Sequence, residues 1–139
     1  MSGKKIHQVA GIDTNIFIYY FQQHYQLGLL AKKFLQTVVL EKTKGITSII
    51  SLLELLSLKA PSESIEKLQT EYLGFPNLHM FDVTQPIAIE AARIRRAYGY
   101  RTADAIQLAT ALYAKATVFV TNDKRLQNFK ELEVRLLSN

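Results

Sequence analysis

Four acids stand where the surrounding sequence leaves them conspicuous: Asp13 in GIDTN, Glu54 in SLLELL, Asp104 in RTADAIQLATA and Asp123 in VTND. Carboxylates are hard oxygen ligands, and several of them with water to complete the shell bind Mg²⁺ or Mn²⁺. Ions held in this way activate water and stabilise the charge that develops on a phosphodiester under attack. Four acids drawn to one place would therefore make a metal site for phosphodiester hydrolysis. Glu54 is the most informative of the four. It interrupts Ile49, Ile50, Leu52, Leu53, Leu55, Leu56 and Leu58, a run that reads as a helix apolar around nearly its whole circumference and hence buried. A buried carboxylate has to be paired, neutralised or bound to a metal, and this segment supplies no partner.

Each aspartate also has a plainer reading. Asp13 can cap a helix, Asp104 can be a first-turn acid behind a Thr102 cap, and Asp123 can cap a short helix over residues 124–128, where the positive helix end favours negative charge. Glu54 sits too deep in its helix for that role. Asp82 reads as a loop or cap acid. Competing chemistries lack their residues. His7, His24 and His79 show no ligand spacing, and there is no Ser-His-Asp arrangement or Gly-rich phosphate loop. The chain has no cysteine, which removes disulfides, thiolate zinc sites and cysteine nucleophiles and fits a reducing compartment. A metal-dependent phosphatase or a phospho-acceptor domain would also place Asp at strand ends. Asp13 lacks the DxDxT context of the first, and no acidic pair precedes a phospho-acceptor Asp as the second requires.

The elements that must position these acids follow from periodicity. Short apolar runs at Val9 to Ile12, Gly45 to Thr47, Leu78 to Val83, Thr117 to Thr121 and Glu133 to Leu137 suit strands buried in a parallel sheet. Helical spacing fills the intervals at about 26 to 43, 62 to 74, 85 to 98 and 103 to 116. The third of these has Thr84 as its N-cap, Pro86 in its first turn and Gly99 past its end. Breaks near 22–25, 60–61 and 99–101 split each of the first three connections into two helices. Strands alternating with helices predict a single α/β domain over 1–139, a three-layer α/β/α sandwich around a parallel sheet of about five strands. In such a sheet ligands bind beyond the carboxyl ends of the strands, where strand order reverses. Asp13 directly follows the first strand, Asp123 follows the fourth by two residues, Glu54 lies about two turns into the helix after the second, and Asp104 lies near the start of the helix that returns to the fourth. For this to hold, the 85 to 98 helix has to cross the sheet edge instead of descending the layer.

Charge points the same way. Net charge is +5 from 17 Lys and Arg against 12 Asp and Glu. With four of the twelve acids in one site, only eight face the seventeen cations elsewhere, a basic surface around an acidic hole that suits a polyanion such as nucleic acid. Arg93, Arg95, Arg96 and Arg101 are interleaved with Tyr98 and Tyr100, which suits base stacking beside phosphate contacts. The helix arginines equally suit an offset to the helix dipole. Arg101 and, after Asp123, Lys124 and Arg125 are closer to the expected site mouth. After Lys4 and Lys5 the apolar stretch breaks at His7, Gln8 and Asp13, so no signal peptide is read. No run is long enough to span a membrane, and the chain is read as soluble and cytoplasmic.

The ordered set DTNIFI, an isolated Glu in an apolar helix, TADAIQLATA and TND resembles the PIN-domain ribonucleases, most of all the small toxins of the VapBC toxin-antitoxin type, over residues 9 to 137. The resemblance implies the three-layer fold and a Mg²⁺- or Mn²⁺-dependent endoribonuclease with Asp13, Glu54, Asp104 and Asp123 as catalytic and metal-binding acids. Asn15 and Thr121 match the polar and hydroxyl residues that support such a site. It further implies an RNA substrate, a homodimer and an antitoxin whose C-terminal segment covers the site. PIN-fold RNA-processing nucleases outside toxin systems, and non-catalytic PIN-fold interaction modules, share the same pattern.

Overall fold

The apolar runs form five strands, β1 (Gln8–Ile12), β2 (Thr43–Ser48), β3 (Leu78–Phe81), β4 (Val118–Thr121) and β5 (Glu133–Leu136). Every pairing is parallel, and the sheet order is β3-β2-β1-β4-β5. A computed structural model describes residues 8–138; Lys4, Lys5 and His7 lie outside the described residues. Six helices fill the connections in pairs: α1 (Thr14–Phe21) and α2 (Gly28–Val39), α3 (Ile50–Leu56) and α4 (Ser62–Leu73), α5 (Gln85–Tyr98) and α6 (Thr102–Tyr113). Among the described residues no helix is long and apolar enough to cross a membrane.

Side chains alternate across the strands, and this sorts the helices into two layers. Ala10, Ile12, Val118 and Val120 pack with Ile16, Phe17, Leu35, Leu55 and Tyr72 from α1 to α4. On the other face Phe119 packs with Ile87, Ile94, Leu108 and Ala109 of α5 and α6. Gly11 faces that second layer, and a Cβ there would lie 2.7 Å from Ala111 Cβ and 2.9 Å from Phe119 Cδ1. Only a glycine lets α6 approach the sheet this closely.

The chain builds outward from β1 through β2 to β3, then returns to the opposite side of β1 for β4 and β5. Strand order thus reverses between β1 and β4, and the cleft beyond their carboxyl ends is the natural ligand site. α5 makes the return possible. Its 14 residues span about 21 Å, enough to cover the three strand spacings, roughly 14 Å, between β3 and β4. Thr84 accepts from Ile87 N at its start, and Gly99 in the left-handed region (φ 76°) ends it. α5 begins four residues after β3, and Arg101, just past its end, lies beside Asp104 and Asp123, so α6 starts at the carboxyl edge.

Two expectations change. α3 has only seven residues, with Leu53 62% and Ile49 38% exposed, so the helix is not buried all round and Glu54 is half-buried. Nor does Thr102 cap α6: Arg101 holds the N-cap position without a side-chain bond, and Thr102 is the first helical residue.

Candidate metal centre

Asp13 ends β1 and caps α1. Its amide donates to Val120 O at 3.0 Å, its Oδ1 accepts from Thr14 N at 2.8 Å, and its Oδ2 accepts from the Thr121 hydroxyl at 2.6 Å. Thr121 in turn accepts from Asp123 N at 3.0 Å and from Asn15 Nδ2 at 3.4 Å. Glu54 Oε1 accepts from the Thr14 hydroxyl at 2.6 Å, so Asp13 and Glu54 are joined through consecutive residues. This is the inner pair.

Asp104 and Asp123 form an outer pair held by arginines. Arg125 donates to both, at 3.3 Å to Asp104 Oδ2, and bonds Asp123 through Nε at 3.0 Å and through Nη2. Arg101 Nε lies 3.4 Å from Asp104 Oδ2, and its Nη2 lies 4.0 Å from Asp123 Oδ2. Asp123 also caps the 3₁₀ turn Lys124–Asn128 through Arg125 N, so the plainer reading, a cap acid, holds for this residue.

Electrostatics separate Asp13 from Asp123. Burial, then the nearby Asp104 and Glu54 carboxylates, push Asp13 up to about 6 against the hydrogen bonds from Thr121 and Thr14. Asp123 is held below the usual carboxylate range, chiefly by its hydrogen bond from Arg125. The inner acid is starved of positive charge, and the outer one is supplied with it.

All four acids therefore lie along one edge, linked in pairs and not drawn onto a single point. Among the described residues no three His, Cys, Asp or Glu side chains are grouped to hold an ion as they stand. The donor set nevertheless fits Mg²⁺ or Mn²⁺ by its chemistry, being all oxygen and rich in carboxylate. Asn15 adds a specific sign. Its Oδ1 is the one buried side-chain polar atom among the described residues without a hydrogen-bond partner, as expected of an oxygen that awaits a cation or its water.

The remaining predicted residues scatter. Lys124 is exposed beside the site. Arg95 bonds Tyr100 O at 3.1 Å, which closes the end of α5, and Arg96 is exposed there. Arg93 is committed to Glu90 and Glu131. The tyrosines correct the stacking expectation: Tyr98 and Tyr100 stack on each other, 5.2 Å between centroids, and Tyr100 is buried. Their hydroxyls donate to Glu131 and Asn128. His24 caps the turn into α2 by accepting from Gln26 N and Leu27 N. Sequence reasoning missed Thr14 and Gln107, whose Nε2 donates to Thr14 Oγ1 at 3.2 Å. The available signal was spacing: Gln107 lies three residues beyond Asp104, on the same helix face.

The PIN domain family matches residues 11–132. No curated protein sequence matches. The fold is similar to that of a chain of VapBC2 from Rickettsia felis, solved bound to a DNA fragment from its promoter, with TM-score 0.73 and 18% identity over 92% of this chain and 98% of that one. A chain of a toxin-antitoxin complex from Klebsiella pneumoniae gives TM-score 0.71 and 21% identity over 94% and 97%. A chain of DNA-bound VapBC from Salmonella typhimurium gives 0.68 and 19% over 94% and 98%.

Proposed function

This chain belongs to the PIN domain family, and from that membership we propose that it is a Mg²⁺- or Mn²⁺-dependent endoribonuclease, the toxin component of a toxin-antitoxin pair. The observation that supports the reading is the carboxyl edge at the strand-order reversal between β1 and β4, along which the four carboxylates lie and beside which Asn15 Oδ1 has no hydrogen-bond partner. Asp13 and Asp104 are the most direct ligands, with Glu54 and Asp123 completing or orienting the shell. When bound, the cation acidifies water and offsets charge on the phosphoryl oxygens. The chain's own part is to hold those acids in place and aimed. Thr121 and Thr14 fix the inner carboxylates by donated hydrogen bonds, and Arg101, Lys124 and Arg125 meet phosphates at the rim. Water oxygen attacks phosphorus and the bond to the ribose 3′ oxygen breaks. That oxygen takes up a proton, and the products are a 3′-hydroxyl and a 5′-phosphate.

The toxin assignment draws on the shared fold, which spans nearly the full length of chains solved in toxin-antitoxin complexes. An antitoxin that covers the site and a homodimer belong to the same reading, and purification with the product of a neighbouring gene tests the first. The arginines on Asp104 and Asp123 favour a second reading, a non-catalytic PIN-fold module whose acids serve only as ion-pair partners. A PIN-fold processing nuclease outside a toxin system would show the same chemistry with a different biological role.

Incubation with single-stranded or looped RNA decides between chemistry and scaffold. Cleavage is expected with Mg²⁺ or Mn²⁺ and not in EDTA. Asp13→Asn and Asp104→Asn should each lower the rate by at least about 100-fold with the fold intact, the scale on which removal of an essential transition-state group acts. Undiminished cleavage by either variant, or full activity in chelator, would place the chemistry elsewhere.

A further inference from the structure

Gln107 is 2% exposed in the middle of α6, and a buried primary amide is costly unless its polar atoms are met. They are met by the site. Ser48 N, at the end of β2, donates to Gln107 Oε1 at 3.2 Å, with the Thr47 hydroxyl 3.5 Å from the same oxygen. Gln107 Nε2 donates to Thr14 Oγ1 at 3.2 Å, and the Thr14 hydroxyl donates to Glu54 Oε1 at 2.6 Å.

The direction of this chain of bonds is set by its first member. A backbone N–H only donates, so the amide atom that faces Ser48 has to be the oxygen, and the NH₂ group has to face Thr14. That NH₂ group also only donates. The Thr14 oxygen therefore accepts, and its single proton is left for Glu54. Four elements, β2, α6, α1 and α3, are joined by hydrogen bonds that all point toward one carboxylate. The bond engages Oε1 of Glu54 and leaves Oε2 for a ligand.

We propose that Gln107 is a positioning residue that acts through the Thr14 hydroxyl to fix the Glu54 carboxylate at the carboxyl edge of the sheet. The proposal deepens the nuclease reading and rests on it for its function, while the geometry it asserts exists without metal. Glu54 is half-buried on a seven-residue helix, and the Thr14 hydroxyl is the hydrogen-bond partner of its carboxylate. The relay constrains that carboxylate from the buried side of the molecule.

The test uses the whole chain in four variants: Gln107→Met, which keeps length and removes polarity, Thr14→Val, Thr14→Ser, and the Gln107→Met/Thr14→Val pair. In EDTA the ¹³C carboxyl resonance of Glu54, assigned by its loss in Glu54→Gln, should move in Gln107→Met and Thr14→Val. It should move no further in the double variant and stay near wild type in Thr14→Ser. Mn²⁺ dissociation constants from electron paramagnetic resonance should rise roughly 10- to 100-fold in the first two, the usual effect of removing a group that orients a metal ligand. The double variant should be no weaker than Thr14→Val alone, since the two residues act in series. A Gln107→Met protein that melts lower but keeps both the Glu54 resonance and its Mn²⁺ affinity would reduce Gln107 to packing and overturn the relay. If Gln107→Met does not fold, the contrast between Thr14→Val and Thr14→Ser reads the last bond of the relay, Thr14 to Glu54: equal resonances would overturn the relay, and a shift in Val alone would support it. Wild-type protein that binds no Mn²⁺ while the resonance still answers to Thr14 and Gln107 would sink the nuclease reading and leave the relay standing.

Discussion

Arg125 touches two of the four acids, so any cation that uses Asp104 and Asp123 has to compete with it. Arg125→Gln should therefore tighten Mn²⁺ binding, measured by calorimetry, and looser binding would show that the guanidinium helps to build the site. Asp13 gives a second residue-scale prediction. Its carboxyl rises from 3.8 to about 6 on folding, so the folded state holds the proton more tightly than the unfolded chain does. The resulting stability, roughly 3 kcal/mol by linkage, is fully present below pH 3.8 and lost as pH rises through about 6. In metal-free protein, urea melts should show this loss in wild type and not in Asp13→Asn, once their difference is plotted against pH. A flat difference across that window would mean that Asp13 is not desolvated in solution.

The close approach of α6 to β1 is the element-scale feature with the sharpest consequence. Gly11→Ala puts a methyl within 3 Å of Ala111 and Phe119, and overpacking of this kind costs about 1–3 kcal/mol. Denaturant titration should find a loss of that size, and an unchanged midpoint would show that α6 can retreat freely. Element types and order were legible in the sequence because parallel strands are continuously apolar and the helices carry their own punctuation, as Thr84, Pro86 and Gly99 do around α5. The surroundings of Glu54 were not legible. A run of leucines cannot reveal that its helix stops after seven residues and leaves Leu53 in solvent, so Glu54 stands beside Asp13 for a reason other than burial in an apolar helix. Tyr98 and Tyr100 misled in the opposite sense. Their spacing beside arginines suits base stacking, but Gly99 folds them onto each other and Phe129, a contact with no local signature. Gln107 escaped because its partners lie 59 and 93 residues away in sequence.

At the scale of the molecule, cations exceed acids by 17 to 12, and if RNA is the substrate as proposed its binding should weaken steeply with salt. Each phosphate neutralised on a single strand contributes a slope of about −0.7 in log K against log salt. Lys124→Ala and Arg101→Ala should each flatten that slope by about 0.7, measured by fluorescence anisotropy in EDTA so that no cleavage intervenes. Unchanged slopes would move the RNA track away from the rim. The placement of β1 at the centre of the sheet has a further consequence, one of timing. Asp13 leaves the ribosome well ahead of the hydroxyl that orients it, which belongs to Thr121, 108 residues later. At about 5–20 residues per second that interval is roughly 5 to 20 s. Until β4 arrives, β1 has a neighbour on one side only, and neither Thr121 nor Asp123 is present. If the chain cuts RNA as proposed, topology delays the first cut: the nascent chain remains harmless until β4 has been made and has joined β1.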